Sequence, residues 1–271
     1  ELIRYGFINL AGIKIKTMKK RIITAITSIF LLSAGMVTGQ GVPDNDAILR
    51  AIINSDSPYY YPGLMMRYQA GDTTLTLDDY HYLYYGYAYQ ESYKPLEPVS
   101  GETQVLMQLE RYPEPTPEQA AELLEYTKVV MSADPFSPKN INFMAFAYNM
   151  MGDEKNAAIN FDRLNKILST IESSGTGLKE STPWHVLWYT HANDVLAAKG
   201  LDIHKRQIRS RSVEYISLTR RDGNVKGYFF DFGRMYWKRP ENIPQRENRV
   251  DGFEINGIKV KGRNSHYSPP Q

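Results

Sequence analysis

Residues 116–171 read TPEQAAELLEYTKVVMSADPFSPKNINFMAFAYNMMGDEKNAAINFDRLNKILSTI, and the fold turns on what this stretch forms. Thr116-Pro117-Glu118 is a helix start: a hydroxyl at the N-cap, a proline in the first turn, and a carboxylate near the positive end of the helix dipole. Ala120, Ala121, Leu123, Leu124, Thr127, Val130 and Met131 follow at helical spacing until Asp134-Pro135, where proline cannot continue a helix. A second helix is predicted from Pro138, carrying Ile141, Met144, Ala145 and Tyr148. Gly152-Asp153 turns the chain, and a third helix carries Ala157, Ala158, Phe161, Leu164 and Leu168. Ala145, Tyr148, Gly152, Ala157 and Phe161 fall at the relative spacings of a tetratricopeptide-type repeat, in which small residues let antiparallel helices approach and aromatics fill the groove. An ordinary helical hairpin fits the same residues, and a solenoid needs about three such repeats.

Working outward, Asp44 to Ile53 is predicted as a short amphipathic helix, and Ser57-Pro58 as the start of another that runs through Tyr68 to a stop at Gly71. Thr76 with Asp79 three residues on resembles a capping box. The run from Tyr80 to Tyr89 alternates like a strand, yet Leu77, Tyr80, Leu83, Tyr84 and Tyr87 also share one helical face, and the cap before it decides for helix. Lys94 to Ser100 is a loop and Glu102 to Arg111 another helix. Ser173 to Gly177 reads as a flexible break and a domain boundary. Beyond it, Trp184 to Tyr189 is predicted as a buried strand, Thr190 caps a helix from His191 to Lys199, and Gly200 ends it. Val213 to Thr219 and Val225 to Phe232 flank Asp222-Gly223-Asn224 as a hairpin. Arg239 to Asp251 is polar and loose, and Phe253 to Val260 alternates around Asn256-Gly257, a strong short hairpin signal. The expected fold class is mainly α, built of tetratricopeptide-like helical hairpins, with a small α+β C-terminal part containing an antiparallel β-hairpin. Residues 40–172 would be the helical domain, 178–233 the α+β part and 234–271 the tail.

The 271 residues are 42% apolar and 12% aromatic, enough for one large domain or two small ones, and their mean hydropathy is −0.45. The absence of cysteine excludes disulfides, thiolate catalysis, Cys-ligated zinc and lipid attachment through Cys. Lys19-Lys20-Arg21 before the apolar run Ile22 to Leu32, with Val37-Thr38-Gly39 before Gln40, reads as a signal peptide over 18–39 that starts at Met18, behind an upstream extension of 17 residues. The run is shorter than the ~20 residues of a spanning helix, though an uncleaved anchor is the alternative. An exported protein, periplasmic or secreted and not a lipoprotein, is expected, with no membrane span after cleavage. From Gln40 onward the chain carries 26 basic and 29 acidic residues. Residues 40–202 hold 11 basic and 22 acidic, whereas residues 203–271 hold 15 and 7. Such asymmetry fits halves that dock on each other, a basic end that meets an anionic partner, or a plain solvated surface. Export argues against nucleic acid as that partner.

Several short stretches carry a resemblance. They are Leu75 to Tyr80 leading to Tyr84-Tyr85-Gly86, His185-Val186, His191 with Asp194, Leu196, Gly200-Leu201, and Lys226 to Asp231. Together, over roughly Asp44 to Gly233, the chain resembles an uncharacterised domain-of-unknown-function family of exported proteins of Bacteroides-type bacteria. The resemblance implies a tetratricopeptide-like helical body with a small strand-bearing end. It implies no activity and no catalytic residues. The family pattern places an acidic residue after the second matched histidine, where this chain has Ala192.

No residue set specifies a reaction. His191 and Asp194 lie three apart on one predicted helix with His185 nearby, which is the minimum for an acid–base or metal site, but no HExxH-type spacing or marked nucleophile accompanies them. A structural His–Asp hydrogen bond explains the pair as well. Asp231-Phe232-Gly233 copies the kinase magnesium tripeptide without the rest of that signature. No cofactor or metal is expected. Arg209, Arg211, Arg220 and Arg221 form a candidate patch for an anionic ligand, or else pair with the acidic half. The functional expectation is a non-enzymatic helical scaffold that holds a protein or peptide partner in a groove, with Tyr80, Tyr84, Tyr87, Tyr148 and Phe161 as candidate groove residues, most of them also fit for core. One rival is an envelope glycan-binding protein using the same rings with Trp184 and Trp188. The other is a hydrolase built on His185, His191 and Asp194.

Overall fold

The computed structural model describes residues 41–237, together with the backbone of two short strands at 253–255 and 258–260. The upstream extension, the signal peptide and its cleavage point lie outside the described residues, as does most of the tail. Among the described residues no helix is long and apolar enough to cross a membrane.

Helix α1 (Asn45–Ile53) starts where the Asp44 carboxylate accepts the N–H groups of Asp46 and Ala47, and it buries Ile48 and Ile52. Helix α2 (Tyr61–Gln69) begins later than Ser57-Pro58 implied. The Ser57 hydroxyl accepts the Tyr59 N–H and its carbonyl the Tyr60 N–H, so the residues before Tyr61 close a turn first. Helix α3 (Leu77–Gly86) opens on a complete capping box: Thr76 Oγ1 accepts the Asp79 N–H at 3.1 Å, and Asp79 Oδ2 accepts the Thr76 N–H at 2.8 Å. That box settles the tyrosine run as helix, ending in a 3-10 turn at Tyr87–Tyr89. Helices α4 (Glu102–Arg111), α5 (Pro117–Ala133), α6 (Pro138–Met150) and α7 (Glu154–Glu172) follow as expected, α5 with a second capping box between Thr116 and Gln119. Helix α6 packs against both α5 and α7 and buries an unbroken run from Asn140 to Ala147; Ala145 and Ala147 are the small residues that allow this approach.

After α7 the chain forms a four-stranded sheet in the order β1-β4-β3-β2. Strand β1 (Trp184–His185) runs parallel to β4 (Val225–Asp231), which is antiparallel to β3 (Val213–Asp222), itself antiparallel to β2 (Ile203–Ile208). The β3–β4 hairpin is the predicted one, closed at Asp222 and Val225 with Gly223 at φ +59°. Strand β2 has no counterpart in the sequence reading. Its IHKRQI lies at the sheet edge with no buried residue, so no apolar face marks it. The strand expected over Trp184 to Tyr189 shrinks to two residues, because Val186 to Trp188 turn the chain into α8 (Tyr189–Ala198). Trp188 is the N-cap there, not Thr190. Gly200 takes the left-handed φ of +70° expected after a helix end.

One buried cluster runs from Ile48 and Ile52 through Tyr84, Tyr85, Ile167 and Ile171 to Ile216 and Phe230, joining helices and sheet. A smaller one, with Val105, Leu123, Leu124 and Phe143, fills the space among α4, α5 and α6. The break expected at Ser173–Gly177 is a hydrogen-bonded turn inside this body. The N–H groups of Thr176 and Gly177 both donate to the Thr182 carbonyl, and the Phe229 N–H donates to the Gly177 carbonyl at 2.8 Å. Gly177 has φ +66°, and a Cβ there would lie 2.8 Å from the Trp184 ring. The described chain is thus mainly α with a small mixed sheet. Residues 239–271 form a separate unit in which β5 (Phe253–Ile255) and β6 (Ile258–Val260) pair antiparallel, in the register expected around 256–257.

Candidate functional site

The tyrosine stripe of α3 faces inward. Tyr80, Tyr84 and Tyr87 are 1%, 0% and 3% exposed, so three of the five candidate groove residues are core. Tyr148 and Phe161 are half-buried on α6 and α7. Trp184 and Trp188 are buried as well, which removes the aromatic platform the glycan rival relied on. Burial of such rings is tolerated where the hydroxyl finds a carbonyl: Tyr87 donates to Ala133, Tyr85 to His185, and Tyr93 to Leu187 at 2.7 Å.

The three candidate hydrolase residues do not assemble; none hydrogen-bonds another. His191 Nε2 lies 2.9 Å from Asp134 Oδ2, and its Nδ1 lies 2.7 Å from the Tyr84 hydroxyl. A carboxylate can only accept, so Nε2 carries a proton toward Asp134; in the neutral ring Nδ1 then accepts from the Tyr84 hydroxyl, whose oxygen also accepts the Leu187 N–H at 3.2 Å. His191 is 0% exposed, so the ring itself is out of contact with the surface. Asp194 instead accepts the Lys139 N–H at 3.1 Å. Burial raises its pKa to about 6, against the pull of Lys139 and His191. His185 faces Asp231 at 3.9 Å.

Asp134 carries the network to a surface. It lies at the floor of a cleft of about 220 Å³ between the Pro95–Glu102 stretch, the α5–α6 junction and the corner before α8. Val99, Val130, Trp188 and Met235 make its apolar walls, and Glu97, Glu102 and Asp134 its acidic ones. Glu102 is held by Lys139 at 3.6 Å and Glu97 by Lys94 at 3.3 Å. The lining residue Tyr189 is exposed, and its hydroxyl lies 2.8 Å from that of exposed Tyr236. A larger hollow of about 390 Å³ over α4 and α5 is lined by Gln104, Met107, Gln108, Glu110, Arg111 and Tyr126, all exposed or half-buried side chains. The smaller cleft is therefore the better site. Sequence reading used Asp134 only as a helix stop; nothing local shows that a residue before a proline meets a histidine 57 positions on.

The four arginines do not form one patch. Arg209 and Arg211 lie in the turn between β2 and β3, with Arg209 over the Tyr215 ring at 5.4 Å, whereas Arg220 and Arg221 lie at the far end of β3. The strand between the pairs spans roughly 25–30 Å at about 3.3 Å per residue. Among the described residues no group of three His, Cys, Asp or Glu side chains is placed to hold a metal.

No curated protein and no solved structure matches the chain. The family described as a domain of unknown function, DUF4919, matches residues 46–239, which takes in the whole body from α1 through the sheet to the cleft wall at Met235. The chain belongs to the DUF4919 family.

Proposed function

We propose that this protein is a non-enzymatic binding module: a tetratricopeptide-like helical scaffold, exported and without a lipid anchor, whose cleft takes a peptide segment of a partner protein. The carrying observation is the lining of the Asp134 cleft, with carboxylates at Glu97, Glu102 and Asp134 set among Val99, Val130, Trp188 and Met235. A lysine or arginine side chain matches it, with an aliphatic stem for the walls and a charge that exchanges with Lys94 and Lys139 on Glu97 and Glu102. The complete burial of His191, away from the cleft surface, supports binding over catalysis. The exposed Tyr189–Tyr236 pair favours a second reading, an envelope glycan held by their hydroxyls and the Tyr236 ring, Tyr189 being itself stacked on Phe232.

Selection of a random peptide display library on the full chain tests the first reading. Enrichment of peptides sharing a Lys or Arg is expected, with binding about tenfold weaker to a Glu97→Gln/Glu102→Gln variant, the scale of one lost charge-assisted contact. Absence of any enriched peptide, with glycan-array binding lost on Tyr189→Ala, would replace it by the second.

A further inference from the structure

Tyr85 is the centre of another polar cluster, on the side of α3 facing β1 and the segment before α1. The Arg234 guanidinium lies over its ring at 4.9 Å, the His81 ring meets it at 5.1 Å, and its hydroxyl donates to the His185 carbonyl at 3.1 Å. Arg234 is 6% exposed and His185 9%. The guanidinium donates to the Pro43 carbonyl at 3.2 Å and to Asn45 Oδ1 at 2.6 Å, both neutral. Among the described residues no carboxylate comes within ion-pair distance of it. A buried cation without a counter-charge is costly, and so is a buried donor without an acceptor. This cluster has both: Arg234 Nε, His81 Nδ1 and His185 Nε2 are all buried without a partner.

The chemistry of the three atoms selects the ligand. The Arg234 Nε–H can only donate, and a neutral imidazole nitrogen donates when it carries the ring proton. A metal ion would meet the guanidinium charge, and among the described residues no third metal-binding side chain joins the two histidines. Two carboxylates face the imidazoles, Asp231 beside His185 and Asp78 beside His81. Asp231 Oδ1 is taken by the Gly233 N–H at 2.6 Å. Neither reaches the guanidinium. We propose that Arg234, His81 and His185 form a binding site for a small oxyanion, a carboxylate or a phosphate-type group, with Arg234 supplying the charge and the imidazoles the flanking donors. His81, half-buried, is the most exposed of the three. Burial holds both imidazoles near pKa 4, so at neutral pH they are uncharged hydrogen-bonding groups.

The test is a titration of the full chain at pH 7, at constant ionic strength set with sodium chloride, with sodium acetate in one arm and sodium phosphate in the other. The readout is the NMR signals of the His81 and His185 rings. A saturable shift of both rings together is expected, with affinity at least about tenfold weaker in Arg234→Gln. A response to acetate alone assigns a carboxylate site, to phosphate alone a phosphate-type site, and to both a general oxyanion site. Should Arg234→Gln fail to fold, His81→Gln keeps the Arg234 bonds to Pro43 and Asn45 and should still weaken the His185 response severalfold. No response beyond the chloride control, or an equal response in the variants, overturns the proposal, as does a response to zinc where neither anion gives one.

Discussion

His185 and His191 stand six residues apart, on either side of the same corner, and their surroundings are opposite. Both are buried in the body that joins helices and sheet. His191 has a partner for each nitrogen, Tyr84 on one side and Asp134 on the other. His185 has a distant carboxylate on Nδ1 and nothing on Nε2. The difference teaches that a buried histidine is not one kind of feature. Where the ring is fully hydrogen-bonded it ties elements together; where a nitrogen is orphaned, burial acts on the charge and depresses the pKa.

The comparison breaks most sharply by removing each ring in turn. His191→Leu would leave the Asp134 carboxylate and the Tyr84 hydroxyl buried without their partner, and a loss of about 3–5 kcal/mol is expected in urea unfolding. Tyr84→Phe strips His191 Nδ1 and the Leu187 N–H of one shared oxygen while keeping the ring, and should cost about 1–3 kcal/mol. His185→Leu removes an already unsatisfied nitrogen, so its stability at pH 7 should stay within about 1 kcal/mol of wild type. A loss at His185 as large as that at His191 would erase the distinction.

Acid sharpens it further. His81 and His185 titrate near 4 in the folded protein and near 6.5 when unfolded. Between those values the unfolded chain binds protons that the native one does not, so stability falls as pH drops from about 6.5 to about 4. Unfolding midpoints across that window should flatten in a His81→Gln/His185→Leu variant. Asp194 works in the other direction: its pKa of about 6 lies above the 3.8 of the free carboxyl, so the native state holds a proton there as pH falls. Asp194→Asn, which keeps an acceptor for the Lys139 N–H, should steepen the acid loss between pH 6 and 4, the smallest of these effects.

What the sequence determined by itself is local. Thr76 with Asp79 and Thr116 with Gln119 place two helix starts, Gly200 a helix end, and Gly223 a hairpin, because each rests on a short-range hydrogen bond or a backbone angle that neighbouring residues dictate. The stripe of Tyr80, Tyr84 and Tyr87 was legible as one face, since 3.6-residue periodicity is also local. Which way that face points was not. Only the packing of the whole body made these rings core, set the Tyr84 hydroxyl against His191, and brought the neighbouring Tyr85 hydroxyl to the His185 carbonyl 100 positions away. It also made a strand of the polar stretch Ile203–Ile208, which has no apolar face and exists through pairing with β3. The site is the extreme case. Asp134 with His191, and Arg234 with His81 and His185, are groups whose meaning lies in distance and burial, and a linear pattern carries neither when the partners are 50 to 150 positions apart along the chain.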